Sequence, residues 1–208
     1  EQAGAAAFAV SCLAEAKHLR RHGIRKPILI LGYTDPACTR ELAAGCITQA
    51  VFSEEYAAAL SAAAAGIGAE VHCHFKVDTG MGRIGFCART DFSAAVAAME
   101  RCAALPGLRF TGIFQHFAVA DSVTEENVAY TEEQHSLFLK VVERLKQDGI
   151  LLNTVHCANS AAQMRHPEWR CDLTRAGIIL YGLDPSTEVH FDGLRPPMTL
   201  KAMVTYVK

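Results

Sequence analysis

Short apolar runs alternate with longer stretches in which apolar residues recur at helical spacing, along most of the chain. The runs at 6–10, 27–31, 47–52, 70–77, 108–114 and 154–157 read as strands. They are short, rich in Val, Ile and Phe, and bounded by Gly, Pro, Asp or Ser. Between them, 13–22, 36–44, 54–65, 91–104 and 124–147 read as helices, and 160–164 as a short one. Start and stop residues support this division. Gly23, Gly45 and Gly149 follow three of the helices. Ser53 suits an N-cap with Glu54 and Glu55 in the first turn, and Glu125 and Glu126 open the longest helix. A seventh strand unit is expected at 172–175, leading into 177–181.

Strands alternating with helices imply parallel pairing through right-handed crossovers. A (β/α)₈ barrel needs eight such units, so seven predict a barrel of this type lacking its first strand. A doubly wound open sheet is the other candidate, but no G-x-G-x-x-G follows the first strand. Chemistry-bearing residues gather at the C-terminal ends of successive strands: Lys76 and Arg83, His116, Asn159 and Ser160, then Arg175 and Gly177. In a barrel these ends meet at one rim, where active sites sit. After Gly182 the pattern changes. Gly193, Pro196 and Pro197 mark a loop, and 198–208 reads as an extended strand rich in Val, Thr and Tyr. The expected division is a barrel over 1–194 and the first strand of a second, β-rich domain over 195–208.

Composition narrows the function classes. The chain has 208 residues, half of them hydrophobic and a fifth charged, as in soluble globular proteins. A formal net charge of −2 does not suggest a nucleic-acid or anionic-membrane partner. No apolar run approaches the ~20 residues needed to cross a bilayer, and residues 1–10 lack the basic start of a signal peptide. The eight cysteines are scattered, with no C-x-x-C pair. Zinc-type spacing is absent, and a reducing, cytoplasmic setting is expected. His72 and His74 share one strand face but have no third ligand in view, so no metal site is expected.

The run from His74 to Phe86 is the densest in chemistry. A strand ends in Lys76-Val77-Asp78 and enters a turn with Gly80, Gly82 and Gly85 around Arg83. Glycine permits backbone angles that a side chain would block. Arginine offers a fixed fork of donors for a carboxylate or phosphate. An ordinary Gly-rich turn with a surface arginine would look the same.

Three later stretches, in the same order as in a known family, change that balance: 115–121 (QHFAVAD), 156–161 (HCANSA) and 172–182 (DLTRAGIILYG). With the 74–86 run they resemble the alanine racemases, pyridoxal 5′-phosphate enzymes built on an (α/β)₈ barrel. The stretches at 8–10 and 28–33 are also similar, so the likeness covers essentially the whole chain. It implies interconversion of L- and D-alanine on a pyridoxal phosphate imine by two-base proton transfer, serving cell-wall D-alanine supply. It implies a homodimer whose site is completed by the other subunit.

The resemblance places Ser160, Gly177 and Ile178 on the cofactor phosphate. Arg175 would face the ring nitrogen, and His116 would orient Arg175 by hydrogen bonding. Asn159 would bond near the ring or cap the helix that follows. Arg83 would meet the cofactor phenolic oxygen and the substrate carboxylate, held by Lys76 if that lysine is carbamylated. Ser160 could equally be a plain helix cap, Arg175 a surface arginine or a partner of Asp172, and His116 a satisfied core residue. The family's imine-forming lysine and its opposite-face tyrosine have no match: Lys17 and Lys26 lie in or just after a helix, and Tyr181 and Tyr206 belong to other stretches. Residues 1–208 alone are therefore expected to be inactive. The related readings are the soluble domain of a serine/alanine racemase, suggested by 30–36, and a non-catalytic pyridoxal-phosphate-binding barrel.

Overall fold

The structure, a computed structural model, describes residues 2–207. In chain order the elements are β1 (Phe8–Val10), α1 (Leu13–Arg21), β2 (Ile28–Ile30), α2 (Thr39–Ala44), β3 (Ile47–Val51), α3 (Glu54–Gly66) and β4 (Val71–Asp78). There follow β5 (Phe86–Cys87), α4 (Phe92–Ala103), β6 (Leu108–Phe114), α5 (Glu125–Gln147), β7 (Thr154–His156) and α6 (Ser160–Arg165). The strands lie in the order β1-β2-β3-β4-β6-β7, every pair parallel, with β5 set off beside β4. Spatial order follows chain order with no reversal, which is the wall of a barrel and not a doubly wound sheet. The chain forms an incomplete (β/α)₈ barrel.

Helix starts follow local chemistry. The side chains of Ser53, Asp91 and Asn159 accept from Tyr56 N, Ala94 N and Ala162 N at 3.2, 2.9 and 3.0 Å, satisfying donors that a first turn leaves open. The second helix begins later than expected. Asp35 Oδ1 accepts from Ala37 N at 2.8 Å and shapes a 3₁₀ turn over Pro36–Cys38, so only Thr39–Ala44 is α-helical.

Two expected strands do not form. At 172–175 the Asp172 carboxylate, not a strand carbonyl, accepts from Val155 N at 2.7 Å. Asp172 N and Arg175 N donate to Val155 O and Ala158 O, so the segment is tied to β7 without a ladder and leads to a 3₁₀ turn, Ile178–Tyr181. Residues 198–207 take no regular structure, and Leu200 is fully exposed. A strand needs a neighbour to satisfy its backbone, and no ladder partner is present among the described residues. Lys208 lies outside the described residues.

Alternation along the strands separates two faces. One face, carrying Ile28, Ile30, Val51, Phe75, Val77 and Ile113, packs with the helices in one large apolar core. The other carries a small apolar group of Leu29, Leu31, Ala50 and Phe114, together with His74, Lys76 and His156. The β4–β6 register shifts between Cys73 and His74: Cys73 opposes Phe110 while His74 opposes Gly112, leaving Thr111 as an extra residue in β6. The shift keeps Phe110 and Ile113, three apart, both in the outer core.

Candidate active site

Arg175 is the most heavily bonded side chain at the strand ends. Its Nη1 bonds to His156 Nδ1 at 2.8 Å and donates to His156 O at 3.1 Å. Its Nη2 donates to Gln115 O at 2.6 Å and Cys157 O at 3.1 Å. A guanidinium has five N–H groups. These four bonds occupy its four Nη hydrogens, and the Nε–H has no acceptor among the described residues. Burial pulls the guanidinium down to about 10, still protonated at neutral pH.

The same contacts fix a histidine chain. Arg175 must donate, so His156 Nδ1 accepts and its proton lies on Nε2. That Nε2–H then donates to His74 Nδ1, 3.0 Å away. Burial first, then Arg175 and His74, hold the His156 imidazole down to about 2. Burial first, then His72, holds His74 down to about 4, so both rings are neutral. The His74 ring occupies the space left by Gly112, where a Cβ would lie 2.6 Å from its Cε1 and Nε2. Phe114 underlies the group, stacked on His156 at 4.9 Å, with Arg175 5.3 Å and Lys76 5.6 Å from its ring centre.

Lys76 is 2% exposed and donates to Val77 O at 2.8 Å. Burial lowers its amine to about 8, opposed by Asp78 and reinforced by Arg175 and Arg83. Beyond it, the glycine loop is held by the Asp78 carboxylate, which accepts from Gly80 N at 2.8 Å and Gly82 N at 2.9 Å. Gly85 has φ +133°, and a Cβ there would lie 2.6 Å from Asp78 N, so the loop closes only with glycine at this position. The loop carries Arg83 into solvent, where its side chain has no hydrogen bond or ion pair among the described residues.

A cavity of about 340 Å³ opens beside Arg175, within the size range of small-molecule sites. His116, Asn159, Ser160, Gly177, Ile178 and Met81 line it. Ser160 Oγ accepts from Gly177 N at 2.9 Å at its wall, and Asn159 caps α6. Six of the eight residues singled out in the sequence thus share one cavity with Arg175 among them; Lys76 lies buried beside Phe114, and Arg83 on the exposed loop.

One expected contact is corrected. His116 makes no side-chain hydrogen bond among the described residues and does not orient Arg175; His156 does. β7 pairs directly with β6 and brings His156 against the guanidinium, whereas His116 lies two residues beyond the end of β6. Burial first, then the cations Arg175, Arg83 and Lys76, push His116 down to about 3. In the sequence His156 lies within a family-like stretch that gives it no role, and His74 reads only as a possible metal ligand. Their shared line of hydrogen bonds spans 82 residues of sequence, which local pattern does not encode.

Residues 1–185 match the family model for the alanine racemase N-terminal domain. The chain is 46% identical over 209 residues to the alanine racemase of Desulforamulus reducens, covering 100% of this chain and 55% of that protein. In three dimensions it resembles the Clostridium difficile 630 alanine racemase in complex with cycloserine: TM-score 0.84, 35% identity, 94% of this chain and 52% of the other. It also resembles a histidine racemase from Leuconostoc mesenteroides subsp. sake, with TM-score 0.81 and 34% identity over 94% of this chain and 51% of the other. The chain spans about half the length of the curated relatives it matches. Family match, sequence identity and fold agree that this chain belongs to the alanine racemase family, in the part corresponding to its N-terminal domain.

Proposed function

We propose that the full-length protein carrying this chain is a pyridoxal-phosphate-dependent racemase that interconverts L- and D-alanine. The observation that carries the reading is Arg175. Four of its N–H groups are committed to the protein, and the residue lines the cavity with its Nε–H to offer. The donor set fits the cofactor: the Ser160 hydroxyl, which accepts from Gly177 N and keeps its own O–H to give, suits a phosphate ester, and a guanidinium suits an accepting ring nitrogen. Bound pyridoxal phosphate withdraws electrons from the substrate α-carbon and so acidifies its C–H bond.

The chain's own residues then set the outcome. Arg175 can only donate, which keeps the ring nitrogen unprotonated and moderates that withdrawal. Return of a proton to the α-carbon is favoured over transamination. Ser160, Gly177 and Ile178 hold the phosphate, and Asn159 fixes the start of α6 beside them. His116 stays neutral in the cavity wall. Lys76, part-neutral near pH 8 through burial, is a nucleophile for carbon dioxide. The carbamate it would form supplies the anion that Arg83 lacks, steadying Arg83 for the substrate carboxylate. The exposed apolar stretch 198–207 is assigned to the first strand of a β-rich domain, and the opposite-face tyrosine to a second subunit.

The reading is tested by converting L- to D-alanine with the full-length protein and added cofactor. Racemisation that persists unchanged after cofactor removal and hydride reduction overturns it. Residues 1–208 alone should show no racemisation and no stoichiometric cofactor adduct after borohydride, because no lysine among the described residues lines the cavity.

A further inference from the structure

We propose that Cys157 and Cys171 are an oxidant-reactive pair that closes to a reversible disulfide directly behind Arg175. Their sulfurs lie 3.8 Å apart, one side chain fully buried and the other at the surface. Among the eight cysteines no other sulfur pair is in contact within the described residues. The Cys157 sulfur also lies 3.2 Å from Trp169 O, the alternative acceptor for its single S–H, which keeps the Cys157 side chain turned toward the loop that carries Cys171. Cys171 itself has φ +47°, a left-handed backbone that a non-glycine residue holds only when its surroundings impose it. Asp172, the next residue, is pinned to β7 through both its N–H and its carboxylate, so the loop cannot drift away from Cys157. Closing to the ~2.05 Å of a disulfide requires the sulfurs to approach by less than 2 Å.

The two thiols are unequal in the manner of an attacking and a resolving cysteine. The hydrogen bond from Cys157 lowers the exposed Cys171 thiol to about 7, opposed by burial and by Asp172. The same contact and burial raise the Cys157 thiol. Near neutral pH the surface sulfur is the thiolate that meets an oxidant. With a hydroperoxide, the Cys171 sulfur attacks oxygen, the O–O bond breaks and hydroxide leaves as water, giving a sulfenic acid. The Cys157 sulfur then loses its proton and attacks the Cys171 sulfur. The S–S bond forms, the S–O bond breaks and a second water leaves. Two thiols are oxidised by two electrons and one peroxide is reduced to two waters; a dithiol reverses the change by exchange.

The consequence for the site rests on the proposed function. Cys157 O accepts from Arg175 Nη2, and its neighbours His156 O and Ala158 O accept from the same residue. The bridge also encloses α6 with Asn159 and Ser160. Drawing Cys157 toward Cys171 shifts the carbonyls that aim Arg175, so the oxidised form should hold pyridoxal phosphate more weakly.

The experiment treats the full-length protein with graded hydrogen peroxide, blocks remaining thiols with iodoacetamide and maps peptides without reduction. The expected result is loss of two thiols and a peptide joining 157 to 171, reversed by dithiothreitol. This should occur at peroxide levels that leave the exposed Cys46 and Cys87 alkylatable. Cys171→Ser should abolish the link and leave Cys157 reduced. Pyridoxal phosphate affinity should fall several-fold on oxidation, recover on reduction and be peroxide-insensitive in Cys171→Ser. A stable sulfinic acid on Cys171, a link to another cysteine, or oxidation no easier than at Cys46 overturns the pair. A disulfide that leaves cofactor affinity unchanged overturns the coupling to Arg175. A protein that binds no cofactor in either state overturns the proposed function and leaves the disulfide standing.

Discussion

Arg175 uses four of its five N–H groups on backbone carbonyls and a histidine, whereas Arg83 has no side-chain partner among the described residues. The first sits beside β7 among buried acceptors, the second on a glycine loop in solvent. The difference follows from what each is proposed to meet. A ring nitrogen is a weak, neutral acceptor, and pointing one N–H at it requires a guanidinium that cannot turn. A carboxylate or carbamate is a charged acceptor that can draw a mobile guanidinium into place. Rigidity at Arg175 comes from the fold; order at Arg83 would come from chemistry added later.

Substitutions at four positions break or sharpen this contrast, in falling order of expected effect on stability. Arg175→Ala leaves three carbonyls and the His156 acceptor without a donor, and should cost about 3–5 kcal/mol in denaturant unfolding. In the full-length protein, Arg175→Glu should reduce racemisation and raise transamination, measured as D-alanine and pyruvate formed. An unchanged ratio of the two products would show that Arg175 does not govern the ring nitrogen.

Lys76 comes next. Its folded value is about 8 against an ordinary 10.5, so between these pH values the unfolded chain binds the extra proton. Stability should therefore rise with pH through that window, by about 3 kcal/mol in total, and be lowest below pH 8. In buffer free of carbon dioxide, Lys76→Met should flatten the rise in Tm, and a rise that survives the substitution would assign it elsewhere.

Gly112→Ala acts on the Arg175 network from outside. The new methyl meets the His74 ring at 2.6 Å and Thr154 O at 2.7 Å, and one of these must move. A loss of about 1–3 kcal/mol is expected, with nitrogen NMR showing the His156 Nε2 proton exchanging faster. Arg83→Gln should change stability least, within about 0.5 kcal/mol as at other exposed positions, while activity of the full-length protein falls sharply. A large stability loss would show that Arg83 is tied down as Arg175 is.

Much of the barrel was legible because its strands carry their own boundaries. The run expected at 70–77 folds as Val71–Asp78, and 108–114 as expected. What failed was set by single side chains. Asp172 replaces a strand carbonyl with a carboxylate, and Asp35 converts the start of a helix into a 3₁₀ turn. β5 has two residues, too few for any period. At the site, Asn159 and Ser160 are legible because they follow the end of β7, whereas Arg175 and Gly177 lie in a stretch that forms no strand and are legible only through its likeness to the family. The choice between His116 and His156 as the partner of Arg175 was not legible. His116 follows one β-run and His156 ends another, and only the pairing of β6 with β7 decides which ring reaches the guanidinium.

The bulge in β6 separates what that strand can lose from what it must keep. Insertions are absorbed by surface loops, and the turn at 104–107 before β6 is such a place. Within β6 the constraint comes from the neighbouring strand. Deleting Thr111 would let the ladder run without interruption, with Phe110 and Ile113 two apart on the outer face and Gly112 still opposite His74, whereas deleting Gly112 would put the Thr111 side chain against the His74 ring. The glycine, and not the number of residues in the strand, is thus held by a ring on the neighbouring strand. Among natural variants of this chain, those that keep the histidine should keep the glycine opposite it, whether or not the strand carries the extra residue.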